Sequence, residues 1–197
     1  MKAITLAALT MLITVAVALE VSGQHEHHAA PATPGRSDSV YELSASLVDQ
    51  DGRKVALDLF RGHPVLISMF YTTCPDACPL LIADLKRIER ELPPASRGAL
   101  RVVLVSLDPK RDTPEALRGL ARAHGLDTSR WRLLCARDDT VREIAAVLGL
   151  RYRQLLAGGF NHSSVITLLD PAGVVLARVE GVGQPTDALR EALRTRH

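Results

Sequence analysis

Three nearly uninterrupted apolar runs, each followed by a segment with helical spacing, constrain the fold of this chain more than any other feature. The runs are PVLISMFY, RVVLVSLD and WRLLCA, which begin at residues 64, 101 and 131. A strand that is apolar at nearly every position is typical of burial on both faces of a parallel sheet, and parallel strands need a crossover such as a helix between them. The pattern therefore predicts an α/β domain with a central sheet flanked by helices.

Two further segments predict hairpins that add antiparallel strands to this sheet. Near the start of the domain, Asp51-Gly52 is a strong turn signal between two short β-like runs. Near its end, SSVITLLDPAGVVLARVEG contains two apolar runs joined by a Pro-Ala-Gly turn, and TDALREALRTRH follows as an amphipathic helix. The predicted sheet is therefore mixed, with an added N-terminal β-hairpin and the order β-hairpin, βα, βα, βα, ββ, α.

The N-terminal segment predicts export. Lys2 precedes a run without charged residues from Ala3 to Leu19, and Glu20 closes it. This run lies between the usual length of a signal-peptide core and that of a membrane span, so residues 1–23 are interpreted as a signal peptide or an N-terminal membrane anchor. We therefore expect the protein in the periplasm, either soluble or anchored to the inner membrane, where paired thiols tend to oxidise.

Residues 24–39 are interpreted as a flexible linker, and residues 40–197 as the folded domain. The linker is rich in Ala, Pro, Ser and Gly and has no periodic apolar pattern. It carries His25, His27 and His28, which can either bind metal as neutral imidazoles or remain solvated.

The charge of the chain argues against nucleic acid as a partner. The formal net charge is +2, and its carriers are scattered along the sequence. Binding to a phosphate backbone requires a clustered basic surface, which this sequence does not predict. Contact with a membrane is expected only through the N-terminal anchor.

The stretch FYTTCPDACP places Cys74 and Cys78 at the junction between the first buried strand and its helix. In open α/β folds, chemistry gathers beyond the carboxyl ends of the strands, where these two thiols are expected to lie. With the helix predicted to begin near Cys74, residues four apart share one face with β-carbons about 5–6 Å apart. Such a spacing suits a shared metal, and it also overlaps the range of Cα–Cα separations found in disulfides. Spacing alone does not decide between a metal site, a disulfide and two core residues.

Local charges favour metal binding over rapid thiol exchange. A helix N-terminus stabilises an anion by about 0.3–1 kcal/mol, whereas the carboxylate of Asp76, between the two cysteines, opposes a further negative charge. Neither thiol is therefore expected to be strongly activated, as a fast oxidoreductase would require. A metal instead lowers the thiol pKa itself by binding the thiolate. Soft thiolates select Cu(I), and an added imidazole also accommodates Cu(II).

His162 is the leading candidate for that imidazole. It lies in LLAGGFNHSS, interpreted as a loop before the last hairpin. The loop reaches the rim that carries the cysteines if the strand after it neighbours the first buried strand. Cys135 lies inside the apolar run WRLLCA and is interpreted as a core residue, which leaves it as an odd thiol.

Together, FYTTCPDACP, SLDPKRDTP, WRLLCA and NHSSVITLLDPAG resemble the Sco/SenC family, over a span from about Tyr41 to the C-terminus. Members of this family are thioredoxin-like copper-binding proteins involved in maturing the binuclear copper site of cytochrome c oxidase. The resemblance implies a thioredoxin-like fold and copper, as Cu(I) and Cu(II), bound by Cys74, Cys78 and His162. Many members carry an acidic residue just before the histidine, where this chain has Asn161. SLDPKRDTP is interpreted as structural: a strand end, a turn and a helix cap.

Two functions compete at this point. The first is a copper metallochaperone without turnover, whose implied partners are the copper-bearing subunit of cytochrome c oxidase, other periplasmic copper carriers and thioredoxin-like reductants. The second is a thiol-disulfide oxidoreductase in which Cys74 and Cys78 reduce the cysteines of the oxidase subunit, and His162 is not needed as a ligand. A thiol peroxidase is a distant third, because no electropositive pocket around a thiol is evident.

Overall fold

A computed structural model of the protein describes residues 39–156 and 158–194. The predicted signal peptide or anchor and the linker histidines, His25, His27 and His28, lie outside the described residues. Of the predicted linker only Ser39 is described, and it already forms an isolated bridge with Val174. Across the described ranges, no helix combines the length and the apolar character that crossing a membrane requires.

The described part of the chain alternates strands and helices. Its strands are β1 Leu47–Asp49, β2 Lys54–Val55, β3 Val65–Phe70, β4 Arg101–Ser106, β5 Trp131–Ala136, β6 Tyr152–Gln154, β7 Phe160–His162, β8 Val165–Leu169 and β9 Val175–Glu180. Its α-helices are α1 Ala77–Glu91, α2 Pro94–Ala99, α3 Pro114–Ala123, α4 Asp138–Val147 and α5 Asp187–Arg194. Short 3-10 helices lie at Val40–Glu42 and Leu57–Phe60.

One mixed sheet contains all strands except β6 and β7, in the order β2-β1-β5-β4-β3-β8-β9. The central strands β3, β4 and β5 are parallel, whereas β8 runs antiparallel to β3 and β1 antiparallel to β5. Phe70 lies opposite Ser106 in the register, so β3 and β4 end at the same edge. The predicted mixed α/β fold is confirmed, and so is the adjacency of β8 and β3 on which the expected position of His162 depended.

The N-terminal hairpin is also confirmed. β1 and β2 pair antiparallel, with Leu47 opposite Val55. Gly52 in the connecting turn has a φ of 81°, a conformation that glycine adopts without steric cost. The turn signal at Asp51-Gly52 therefore reflects a real backbone requirement.

The helices bury the faces that their spacing predicts. All six residues of β3 are buried, and α1 buries Leu81, Leu85 and Ile88 along one face. At the start of α3, the Thr113 side chain accepts a hydrogen bond from the Ala116 backbone N–H, as its predicted N-cap position implies.

Three local features differ from the sequence expectation. LLAGGFNHSS was expected to be a loop, but Phe160–His162 within it form β7, which pairs with β6 in a separate two-stranded sheet. Helix α2 was not predicted either. The third difference is the start of α1, which lies at Ala77 with Asp76 as its N-cap rather than near Cys74. Cys74 precedes Pro75, and a residue before proline is disfavoured in the helical region, so the helix begins later.

Candidate metal centre

Cys74 and Cys78 lie beyond the carboxyl end of β3. Cys74 sits in the turn before α1, where its backbone N–H donates to the carbonyl of Tyr71 at 3.2 Å. Cys78 is the second residue of α1 and is 2% exposed, whereas Cys74 is half-buried. The Cys78 backbone N–H donates to the Cys74 Sγ at 3.3 Å. Amides in the first turn of a helix have no intrahelical partner, so this one is available to orient the sulfur of Cys74.

A buried carboxylate, Asp112, fixes the backbone just before Cys74. Asp112 is 1% exposed, and its two oxygens lie 3.2 and 3.1 Å from the Thr72 backbone N–H that donates to them. The Thr72 hydroxyl donates to the same carboxylate, and so does the Ser106 hydroxyl, at 2.5 Å. Asp112 belongs to SLDPKRDTP, which therefore does more than end a strand and cap a helix. It also holds the turn that carries Cys74.

His162 is the last residue of β7 and reaches the same edge because β8, which begins at Val165, pairs with β3. The His162 Nδ1 lies 3.1 Å from the backbone carbonyl oxygen of Ser163. A carbonyl oxygen only accepts hydrogen bonds, so this contact places the proton on Nδ1 and leaves the lone pair of the neutral ring on Nε2. Metal-binding imidazoles are usually oriented by such a bond from their second ring nitrogen.

These three side chains converge. One ligand atom from each of Cys74, Cys78 and His162 lies within 4.8 Å of the other two. Ligands about 2.0–2.3 Å from one metal are at most about 4–4.6 Å apart, so small side-chain rotations are enough to close a site. Within residues 39–156 and 158–194, no other group of three or more His, Cys, Asp and Glu residues has this geometry. Two sulfurs and one imidazole form a soft donor set that matches copper.

The two thiols differ in acidity. Burial raises the pKa of Cys74, but hydrogen bonds from Cys78, from the Asp76 backbone and from the Tyr71 hydroxyl outweigh it, and the pKa lies below its ordinary value. For Cys78, burial raises the pKa far above its ordinary value, and the nearby Cys74 and Asp112 raise it further. We expected the helix dipole and the Asp76 charge to offset each other. Instead, specific hydrogen bonds, which the sequence spacing does not reveal, give the two thiols different pKa values.

Tyr71, which contacts the site, and Asp112, which holds the turn before Cys74, were not among the predicted site residues. The Tyr71 hydroxyl hydrogen-bonds Cys74, and its ring lies edge-on to the imidazole of His162 with centroids 5.8 Å apart. Neither side chain is a sulfur or imidazole donor, so neither stands out in the sequence as a candidate copper ligand. The available signals were the place of Asp112 in SLDPKRDTP and that of Tyr71 directly after a buried strand.

Cys135 does not belong to the cluster. It lies in β5, is half-buried against the core, and its Sγ donates to the carbonyl of Val48 at 3.6 Å. Burial raises the pKa of its thiol. The interpretation of Cys135 as a core residue therefore holds only in part, because its side chain packs against the core without being fully buried.

Comparison with known proteins relates this chain to one protein family. The SCO1/SenC family model matches residues 35–196. A SCO2-like protein of Rickettsia prowazekii is 39% identical over 72 residues, which is 36% of this chain and 35% of that protein. The mitochondrial SCO2 homolog of Homo sapiens is 36% identical over 169 residues, which is 79% of this chain and 60% of that protein. The chain thus matches about a third and about three fifths of the lengths of these two relatives.

Solved structures share the fold. BsSco, described as a member of the Sco family of cytochrome c oxidase assembly proteins with a disulfide switch, is 25% identical with a TM-score of 0.67, covering 81% of this chain and 95% of that one. A copper-bound ScoI of Arabidopsis thaliana is 22% identical with a TM-score of 0.63, covering 77% and 96%. These likenesses confirm the thioredoxin-like fold. With the family match over most of its length, the chain belongs to the SCO1/SenC family.

Proposed function

We propose that this protein is a copper metallochaperone, which binds copper through Cys74, Cys78 and His162 and supports maturation of the binuclear copper site of cytochrome c oxidase. The observation that carries the proposal is the convergence of two sulfurs and one imidazole nitrogen within 4.8 Å at one edge of the sheet. The names of related proteins support it, since copper-bound Sco structures and a Sco protein of oxidase assembly share this fold.

Copper is the cargo in this proposal, and the chain supplies the ligands and their orientation. The two thiolates select Cu(I), and the imidazole extends the site to Cu(II). The Cys78 backbone N–H and the Tyr71 hydroxyl orient the Cys74 sulfur, and the Ser163 carbonyl orients the imidazole. Because Cys78 is buried while Cys74 and His162 are half-buried, an acceptor meets the latter two first.

The surroundings of His162 suit the approach of an acceptor protein. An open groove is lined by Arg151, Tyr152, Arg153, Asn161, His162 and Ser163. Both arginines are exposed, and so are Leu155 and Leu156 at the turn of the β6–β7 hairpin. We infer that the copper-bearing subunit of the oxidase docks on this side. Other copper carriers or thioredoxin-like reductants can dock on the same side. We also propose that the protein is exported to the periplasm.

The test compares His162→Ala with the wild type in Cu(II) binding. Removing the imidazole is expected to weaken Cu(II) binding on the order of a hundredfold or more, because one of three ligands contributes about 3 kcal/mol or more to a site worth about 10–16 kcal/mol. Nitrogen couplings should also disappear from the electron paramagnetic resonance spectrum. The measurement uses reduced full-length protein, titrated with Cu(II) against a competing chelator.

Two controls isolate the site. His124→Ala removes a histidine at the end of α3, outside the cluster, and should leave the spectrum unchanged. All variants are repeated with His25, His27 and His28 replaced by alanine, so that copper held by the N-terminal histidines does not obscure the result. An unchanged spectrum and affinity in His162→Ala would rule out this ligand set.

A thiol-disulfide oxidoreductase is the second candidate, and the difference between the two thiols favours it. Cys74 is half-buried with a lowered pKa, while Cys78 is buried with a raised pKa. This suits an attack by the Cys74 thiolate on a partner disulfide. Cys78 would then break the mixed disulfide, which releases two partner thiols and leaves Cys74 and Cys78 oxidised. A reductant of the thioredoxin class would restore the pair.

Selective alkylation measures this difference in the metal-free, reduced protein. We expect iodoacetamide to label Cys74 at least about tenfold faster than Cys78 near neutral pH, because one pKa unit changes the thiolate fraction about tenfold and Cys78 is also shielded. Since the pKa of Cys74 is lowered, its labelling rate should level off at a lower pH than that of an ordinary thiol. Mass spectrometry of digested samples gives both rates, with Cys135 as an internal reference. Equal rates at Cys74 and Cys78 would contradict the assignment of attacking and resolving thiols.

A further inference from the structure

The hairpin that carries His162 is not part of the seven-stranded sheet. β6 and β7 pair only with each other among the described residues, with Tyr152 opposite His162 and Gln154 opposite Phe160. An isolated two-stranded hairpin is marginally stable in water. The position of the imidazole therefore depends on how this hairpin packs against the domain.

Tyr71 supplies the packing contact on the face of β7 that carries His162. Tyr71 is 7% exposed, and its ring lies edge-on to Phe160 and His162, with centroids 5.3 and 5.8 Å away. Phe160 and His162 are two positions apart in β7, so their side chains point to the same face of the hairpin. The Phe160 backbone N–H also donates to the Tyr71 hydroxyl oxygen. Tyr71 thus contacts the hairpin through both its ring and its hydroxyl group.

Gly159 makes this close approach feasible. Its φ is 75°, and a β-carbon at this position would lie 3.3 Å from the Tyr71 hydroxyl oxygen. Both the conformation and the space therefore favour glycine. The backbone of the hairpin turn is fitted to the hydroxyl group of Tyr71.

Tyr71 also contacts both sulfurs. Its hydroxyl hydrogen-bonds the Cys74 thiol, and its backbone N–H donates to Cys78. A phenol with an ordinary pKa of about 10 keeps its proton at neutral pH, so the hydroxyl can donate to a thiolate sulfur while it accepts from Phe160. Tyr71 is therefore in contact with all three candidate ligands.

We propose that Tyr71 is a positioning residue, which holds the β6–β7 hairpin so that the imidazole of His162 faces the sulfurs of Cys74 and Cys78. The part of this proposal that concerns copper rests on the proposed function. The part that concerns the hairpin does not, because it is a property of the metal-free protein. Tyr71 acts through the ligands and does not itself bind the metal.

Two substitutions separate the ring from the hydroxyl group. Tyr71→Phe keeps the contacts with Phe160 and His162 but removes the hydrogen bonds to Cys74 and from Phe160. We expect it to retain imidazole coordination of Cu(II) and to shift the sulfur-to-copper charge-transfer band to lower energy, because a hydrogen bond to the coordinating sulfur is lost. Tyr71→Leu also removes the ring. It should weaken Cu(II) binding by about 10–100-fold, the usual cost of losing a group that orients a ligand.

Coupling to His162 distinguishes positioning from a general effect on the fold. In the double variant Tyr71→Leu/His162→Ala, the affinity for Cu(II) should equal that of His162→Ala within about twofold, because the ring acts through an imidazole that is already absent. Tyr41→Phe is the matched control. Its hydroxyl is buried with no hydrogen-bond partner in the part of the chain that the structure describes, and its loss should change neither spectrum nor affinity.

A metal-free measurement keeps the inference independent of copper. In Tyr71→Phe, the Phe160 amide should exchange its hydrogen at least about tenfold faster than in the wild type, because it loses its acceptor, while amides of β3 keep their protection. Unchanged exchange at Phe160 would overturn the proposal, as would wild-type affinity in Tyr71→Leu or strict additivity in the double variant. If Tyr71→Leu does not fold, Tyr71→Phe decides. Should the wild type bind no copper, the proposed function fails and the exchange result still tests the hairpin.

Discussion

Replacing Cys78 with serine is expected to weaken Cu(I) binding on the order of a thousandfold. A metal site worth about 10–16 kcal/mol loses up to about 4 kcal/mol with one strong ligand, which corresponds to roughly this factor. A serine hydroxyl is a hard donor that stays protonated at neutral pH, so it does not replace a soft thiolate. The measurement is anaerobic titration of the reduced protein with Cu(I) against a chelator of known affinity.

Cys135→Ser is the matched control for this prediction. It removes a thiol that is half-buried in β5 and absent from the cluster, so Cu(I) binding should match that of the wild type. Circular dichroism should show that both variants are folded, since Cys78 is 2% exposed and its replacement alters a buried position. An affinity of Cys78→Ser within about threefold of the wild type would exclude Cys78 as a ligand, because even one weak ligand contributes more than that.

Zinc competition distinguishes copper from another thiophilic metal. Zn(II) sites in proteins generally have four ligands when they are structural, and this cluster supplies three. We therefore expect Zn(II) to be displaced by Cu(I) at equal concentration. Because binding of both metals depends mainly on the thiolates, Cys78→Ser is the test variant and Cys135→Ser the control in this competition as well.

The strands of the central sheet could be predicted from the sequence because burial on both faces leaves a local signal. β3 is buried at all six positions, and an apolar run records this directly. The adjacency of β8 and β3 then brings the end of β7 to the cysteines. The convergence of Cys74, Cys78 and His162 was thus expected from topology and from the family resemblance together.

The β6–β7 hairpin and the start of α1 could not be predicted in the same way. The hairpin has only three residues in each strand and no fully buried side chain, so its sequence carries little of the alternation that predicts a strand. Its position depends on contacts with Tyr71, which is distant in sequence. The start of α1 depends on Cys74 preceding proline and on the turn held by Asp112, which is another contact between distant residues.

Asp112→Ala is expected to lower the free energy of unfolding by about 3 kcal/mol. The substitution removes the acceptor of two donors on half-buried Thr72 and of the buried Ser106 hydroxyl. A buried group left without a partner costs about 1–3 kcal/mol, and a half-buried group, which water can reach, costs less. Such a loss should lower the Tm by about 6–12 °C for a domain of this size. Urea denaturation followed by circular dichroism measures the change in free energy.

Two comparisons show whether the loss comes from these hydrogen bonds. Asp112→Asn keeps one acceptor oxygen and should lose less, about 1 kcal/mol. Glu143→Ala removes an exposed carboxylate in α4, away from this turn, and should hardly move the denaturation midpoint. A Cu(II) affinity reduced by about 10–100-fold in Asp112→Asn, with the protein fully folded, would show that the carboxylate also orients Cys74 through Thr72. Equal stability of Asp112→Ala and the wild type would contradict the role of Asp112 in holding the turn.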